Sequence, residues 1–197
     1  MREIELKGVA DDEGASRARL VAAGGRLVFE GELTDRRYDT PTGALFARDE
    51  VLRLRVARGS GGERARVEFK GRASFPDGYK LREEIGTSVG EAETMHAILG
   101  GAGFVVTREI DRHIASFEFE GTVIRFERYP RMDVLVEVEG EPAQIERAIA
   151  VLGIPRAAFT TDRLADFVRR FEGRTGTRAA VSERELQGDY RYHADEA

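Results

Sequence analysis

The sequence predicts an α+β fold built on an antiparallel sheet, and three observations carry that reading. At least six segments alternate apolar and charged side chains with the period of two that marks a strand. Short turns rich in Gly and Ser join neighbouring segments, which favours antiparallel pairing. Stretches with apolar residues at helical spacing are interleaved with the strands, three of them closed by glycine. At 197 residues, 41% apolar and 34% charged, the chain can bury a sizeable core and has no disordered composition.

Residues 2–8 (REIELKG) set Glu3, Glu5 and Lys7 on one face and Ile4 and Leu6 on the other. Residues 12–23 read as a helix closed by Gly24 and Gly25, and 26–31 as a strand. A loop, RRYDTPTG at 36–43, follows with the turn chemistry of Asp39, Pro41 and Gly43. Residues 51–57 oppose Arg53 and Arg55 to Leu52, Leu54 and Val56. Beyond a Gly/Ser turn at 59–62, residues 64–70 set Arg66, Glu68 and Lys70 against Val67 and Phe69. Residues 80–86 set Arg82 and Glu84 against Leu81 and Ile85.

Ser88, with Glu91 three residues on, has the pattern of a capping box, opening a helix with Met95, Ile98 and Leu99 on one face. Gly100, Gly101 and Gly103 end it. Residues 104–128 read as three short strands, the last opposing Arg125 and Glu127 to Ile124 and Phe126. In 133–139, Glu137 and Glu139 stand opposite Val134, Val136 and Val138. Pro142 opens a third helix carrying Ile145, Ile149 and Leu152, and a fourth, around 161–171, presents Leu164, Phe167, Val168 and Phe171. The domain is expected to span 1–172, with 173–197 a polar tail or appended helix that has no core of its own.

Composition excludes several functions. The net charge of −5 argues against a nucleic-acid partner held by bulk positive charge. The absence of Cys removes disulfides, thiolate metal sites and Cys nucleophiles. No apolar run approaches the ~20 residues that span a bilayer, and the opening MREIELK lacks a secretory pattern, so the expectation is a cytoplasmic protein without a membrane partner. His96, His113 and His193 lack metal-ligand spacing. Phe104, Phe117, Phe119 and Phe126 read as core, and no Ser or Thr sits in a nucleophile motif.

The charged strand faces admit two readings. A one-sided sheet would turn them to solvent. Yet Arg53 with Arg55, Glu3 with Glu5, and Glu137 with Glu139 are like-charged neighbours about 6.6 Å apart along a strand. Enclosed at an effective dielectric near 20, each pair would repel by about 2 kcal/mol and would need counter-ions. If the sheet closes with these faces inward, Lys7, Arg53, Arg55, Lys70, Arg82 and Arg125 converge with Glu3, Glu5, Glu68, Glu84, Glu127, Glu137 and Glu139. Arginine forks suit phosphate oxygens, and paired carboxylates suit a hard divalent cation bridging to them. Of 31 basic residues only Lys7, Lys70 and Lys80 are lysine, and two of these lie in strand-like segments beside spaced carboxylates.

Glu3-Ile4-Glu5-Leu6-Lys7 resembles the E-x-E-x-K signature of the CYTH superfamily, the triphosphate tunnel metalloenzymes. The similarity continues through Tyr38-Asp39-Thr40-Pro41, L-R-x-R at 52–55, Lys70, Arg82/Glu84, Arg125 and Glu137/Glu139, in the family's order over residues 2–171. The resemblance implies a closed eight-stranded antiparallel β-barrel, a tunnel with helices outside, acting on a triphosphate-bearing small molecule with Mg²⁺ or Mn²⁺. By position, Lys7, Arg53, Arg55, Lys70, Arg82, Arg108 and Arg125 would cradle the triphosphate. Glu137 and Glu139 would hold the main metal, with Glu127 beside them. Glu3 and Glu5 would hold a second ion or orient water, forming the catalytic set with Lys7.

The chain departs from the family at three places. Glu127 stands where Asp is frequent, and Gly86 where a further acid is common. In the strand after the second helix Arg108 fits one of two basic positions, Ile110 occupies the other, and Arg112 follows. The resemblance implies a triphosphatase acting on tripolyphosphate, thiamine triphosphate or a nucleoside triphosphate. A class IV-type adenylate cyclase is the alternative within the superfamily, and a non-catalytic triphosphate or polyphosphate binder the alternative outside enzymes. Oligomeric state is left open, a homodimer included.

Overall fold

The computed structural model describes residues 2–192; His193 and the rest of the expected tail lie outside them. Eight strands close into an antiparallel barrel: β1 (Arg2–Val9), β2 (Arg26–Asp39), β3 (Val51–Gly59), β4 (Gly62–Lys70), β5 (Lys80–Val89), β6 (Val105–Phe119), β7 (Thr122–Arg128) and β8 (Leu135–Glu139). Their order around the barrel is β1-β5-β4-β3-β2-β6-β7-β8, and β8 pairs back onto β1. Helices α1 (Glu13–Ala22), α2 (Ala92–Gly101), α3 (Pro142–Leu152), α4 (Leu164–Thr175) and the single turn α5 (Glu183–Leu186) lie outside. Among the described residues no helix is long and apolar enough to cross a membrane.

Alternation decides what each layer contains. The apolar strand faces point outward and the helices cover them. Leu20 of α1 and Ile145, Ile149 and Leu152 of α3 pack on Leu6, Phe117, Phe126, Val136 and Val138. On the other side, Leu99 and Met95 of α2 cover Tyr38, Leu52 and Leu54. Local chemistry starts and stops these helices. Asp12 accepts from the Ala15 N–H at 2.8 Å to cap α1. Pro142 and a Glu141/Gln144 capping box open α3, and Gly153 at φ 71° ends it.

A third apolar cluster closes one end of the barrel. Val9, Ile110 and Leu135 share the strand faces of Lys7, Arg112 and Glu137 but are apolar. Tyr129, α4 residues Leu164, Phe167 and Val168, and Ala179 and Val181 pack over them. The segment expected as a polar tail therefore enters a core that belongs to the barrel. Ala180 bridges Arg131, and the Asp111 N–H donates to the Val181 carbonyl at 2.8 Å.

Four local expectations are corrected. β2 runs on through Arg36–Asp39, where a loop was expected, because β6 pairs with it as far as Asp39. Residues 105–128 form one long strand and one of seven residues, not three short ones, broken at Glu120 and Gly121, both at positive φ. Ser88 lies within β5 opposite Arg66 and opens no helix, and Glu91 precedes α2 without a side-chain cap bond. Ile98 is 57% exposed, away from the face that buries Leu99. At Gly31 a Cβ would stand 2.1 Å from the Arg58 carbonyl, so only glycine allows β2 to approach β3 there.

Candidate active site in the barrel interior

Inward alternation brings Glu3, Glu5 and Lys7 of β1 into one cavity of about 740 Å³ with Arg53, Arg55, Lys70, Arg82, Arg125, Glu127, Glu137 and Glu139. Of the positions singled out from the sequence, Arg108 alone does not line it. Arg108 is 1% exposed and lies opposite Arg37 in the β2–β6 pairing.

The interior has two poles. One is rich in carboxylates, from β1, β7 and β8. Lys7 Nζ sits 2.8 Å from Glu137 and 3.2 Å from Glu127. Arg125 Nη1 lies 2.8 Å from both Glu137 and Glu139. Lys70 pairs with Glu3, and Lys80 with Glu5, each at 2.5 Å. Glu3, Glu137 and Glu139 each offer an oxygen within 4.8 Å of the others.

The second pole is rich in arginine, from β2, β3 and β6. Arg55 forks onto Asp35 at 2.7 and 2.8 Å, Arg112 reaches it at 3.1 Å and Arg53 at 3.7 Å. Arg53 also donates to Glu68 at 2.6 Å. Arg37 lies between these groups, opposite Arg53 on β3 and Arg108 on β6.

Burial sets the electrostatics and the partners decide the sign. Burial alone would raise the Asp35 pKa, but Arg55, Arg112 and Arg53 overcome it and hold the carboxyl well below its usual range. At Glu137 burial is likewise overcome, by Lys7 and Arg125. Glu127 is lowered too, Lys7 and Arg112 outweighing burial. Glu5 goes the other way, raised by burial and by Glu137. Glu139 is also raised, by burial above all and by the neighbouring Glu137 and Glu3 against Arg125. Lys7 is held charged by Glu127 and Glu137 against its burial. Tyr129, whose hydroxyl donates to Glu127 at 2.9 Å, is raised by burial and that carboxylate.

Loops fix the rim. Asp39 accepts from the N–H groups of Thr40, Leu45 and Phe46 at 2.6, 2.8 and 2.8 Å, which makes a rigid turn after β2. Tyr38 faces outward beneath α2, and its hydroxyl lies 2.9 Å from His96 Nδ1. Asp49 receives Arg82 at 2.6 Å and Arg163 at 2.9 Å, tying β5 to the start of α4.

Sequence reasoning missed Asp35, Arg37, Lys80, Asp49, Tyr129 and Arg163, all of which line the cavity. Lys80 shares the parity of Arg82 and Glu84, so the signal was present. Asp35 and Arg37 would have surfaced had the strand been extended to Asp39. Nothing in the chain's local pattern marks the Asp49–Arg163 contact.

A closed antiparallel barrel with an apolar exterior and an ionic hollow of facing arginine and carboxylate poles defines a narrow structural class. A model of the CYTH domain matches residues 1–149, and the chain belongs to the CYTH family. No curated protein matches it significantly. Solved structures share the fold. PH1819 from Pyrococcus horikoshii OT3 is 22% identical with a TM-score of 0.71, over 85% of this chain and 98% of that one. A proposed adenylate cyclase from Vibrio parahaemolyticus is 17% identical with a TM-score of 0.71, over 85% and 97%. HpAC1 from Hippeastrum, a proposed adenylyl cyclase described as having a dominant triphosphatase activity, is 18% identical with a TM-score of 0.60, over 89% and 96%.

Proposed function

We propose that this protein is a divalent-metal-dependent hydrolase of a triphosphate-bearing small molecule. The observation that carries the reading is the convergence of arginine and carboxylate poles on one cavity inside the barrel. In this reading Arg53 and Arg55 bind phosphoryl oxygens and neutralise the charge that grows on them during transfer. Lys7, Lys70, Arg82 and Arg125 extend the cradle, as the family's sequence order implies. Arg108, behind the lining, supports it from β6.

Glu3, Glu137 and Glu139 suit Mg²⁺ or Mn²⁺, because three convergent carboxylates are the hard oxygen donors such ions take. Once bound, the ion would supply charge neutralisation to the phosphate chain. Arg125, bridging Glu137 and Glu139, keeps that pair together without it. Glu5, its pKa raised, is the carboxylate suited to hold and orient the attacking water and receive its proton. Glu127, fixed by Lys7, Arg112 and Tyr129, holds Lys7 in place.

The test is incubation with Mg²⁺ or Mn²⁺ and tripolyphosphate, thiamine triphosphate or ATP, reading phosphate, pyrophosphate and cyclic AMP. Phosphate release supports the proposal. Cyclic AMP with pyrophosphate from ATP would replace it with a cyclase, and tight binding without any product would replace it with a non-catalytic binder.

A further inference from the structure

Arg37 is singled out by what surrounds it. Lys7, Arg53, Arg55, Lys70, Arg112 and Arg125 each have a carboxylate within 4.0 Å. Among the described residues Arg37 makes no such pair, and its Nε is buried without a hydrogen-bond partner. Its neighbours across both strand pairs carry the same charge, Arg53 on β3 and Arg108 on β6. The nearby acid, Asp35, is already engaged by Arg55, Arg112 and Arg53. Burial and the neighbouring Arg108 and Arg53 pull the Arg37 pKa down to about 9. At neutral pH the guanidinium is still charged, so the fold keeps a half-buried cation, its Nε sealed from solvent, lacking a counter-ion. Such a group is costly unless something else supplies one.

We propose that Arg37 is a phosphate-binding residue whose counter-ion is a phosphoryl group of the bound triphosphate, gripped together with Arg53. The assignment rests on the function proposed above and deepens it. It also gives Ile110 a meaning. On β6 the inward position after Arg108 is apolar and serves the barrel's closed end. The neighbouring strand then supplies a guanidinium at the level of Arg108.

The experiment is calorimetric titration of tripolyphosphate at neutral pH without divalent metal, on wild type, R37Q and R37K, with a thermal melt of each. R37Q is expected to weaken binding about 10- to 100-fold, with Tm unchanged or raised because a repulsion is gone. R37K keeps the charge without the fork and is expected to lose less. If R37Q binds within twofold of wild type, the assignment is overturned and the proposed function stands. If wild type binds no tripolyphosphate without metal, the assignment falls as well, while the proposed function is decided by the metal-containing turnover assay. A loss of affinity in both variants that tracks a fall in Tm would make Arg37 structural and would also overturn the assignment.

Discussion

Asp35 shows how a single interior residue is constrained. It accepts from Arg55 and Arg112 and faces Arg53, so removing its charge takes the nearest acid from Arg55 and leaves Arg112 to Glu127 and Arg53 to Glu68 and Glu84. Asp35→Asn is expected to destabilise the fold by about 3–5 kcal/mol, the usual cost of breaking a buried pair by deleting one partner. Urea unfolding of the two proteins checks this. The pH dependence has a definite sign. The folded pKa lies well below the ordinary value of 3.8, so the unfolded chain binds more protons in the interval between them. The stabilisation is complete above that ordinary value and drains away as pH falls through the folded pKa. Unfolding midpoints measured down the acid limb should fall less steeply in Asp35→Asn than in wild type. Glu139→Gln probes the other pole. It keeps shape and one acceptor but loses the charge that a cation needs, so metal-dependent turnover should fall by 100-fold or more, about 3 kcal/mol, while the Tm changes little.

At the scale of elements, the helices hold the barrel from outside, and the start of α4 reaches the cavity through Arg163 and Leu164. Leu152 of α3 is fully buried in the outer cluster. Leu152→Ala should cost about 2–5 kcal/mol, measured by denaturant unfolding, with turnover per folded molecule unchanged below the melt. Strand identity was legible wherever alternation was unbroken, as in REIELKG and VLRLRVA. Boundaries were not. The turn signals at Asp39, Pro41 and Gly43 drew the expected loop back to Arg36, yet thirteen pairings with β6 carry the strand to Asp39. Ending the strand at Gly31 hid Asp35, and opening the loop at Arg36 hid Arg37, because local propensity is overridden by long-range hydrogen bonding. Phe117, Phe119 and Phe126 are core as expected, their outward parity being unambiguous.

For the whole molecule the decisive fact is which side of the sheet faces inward. Period two says that Glu137 and Glu139 share a face but leaves that face free to lie inside or outside. Like-charge crowding weakened the solvent-facing alternative, and the ordered resemblance to CYTH proteins implied closure; the barrel order and β8–β1 pairing establish it. An ionic interior also predicts how the whole fold responds to ligands. Tripolyphosphate with Mn²⁺ should raise Tm together by more than either does alone, since each fills the pole that attracts the other. The most direct measurement is a crystal structure with Mn²⁺ and a non-hydrolysable triphosphate, read by the anomalous signal of manganese. The ion is expected within coordination distance of Glu3, Glu137 and Glu139, with the phosphates lying toward Arg53 and Arg55. A manganese peak and phosphate chain on the outer surface, with the barrel interior unchanged, would contradict the account.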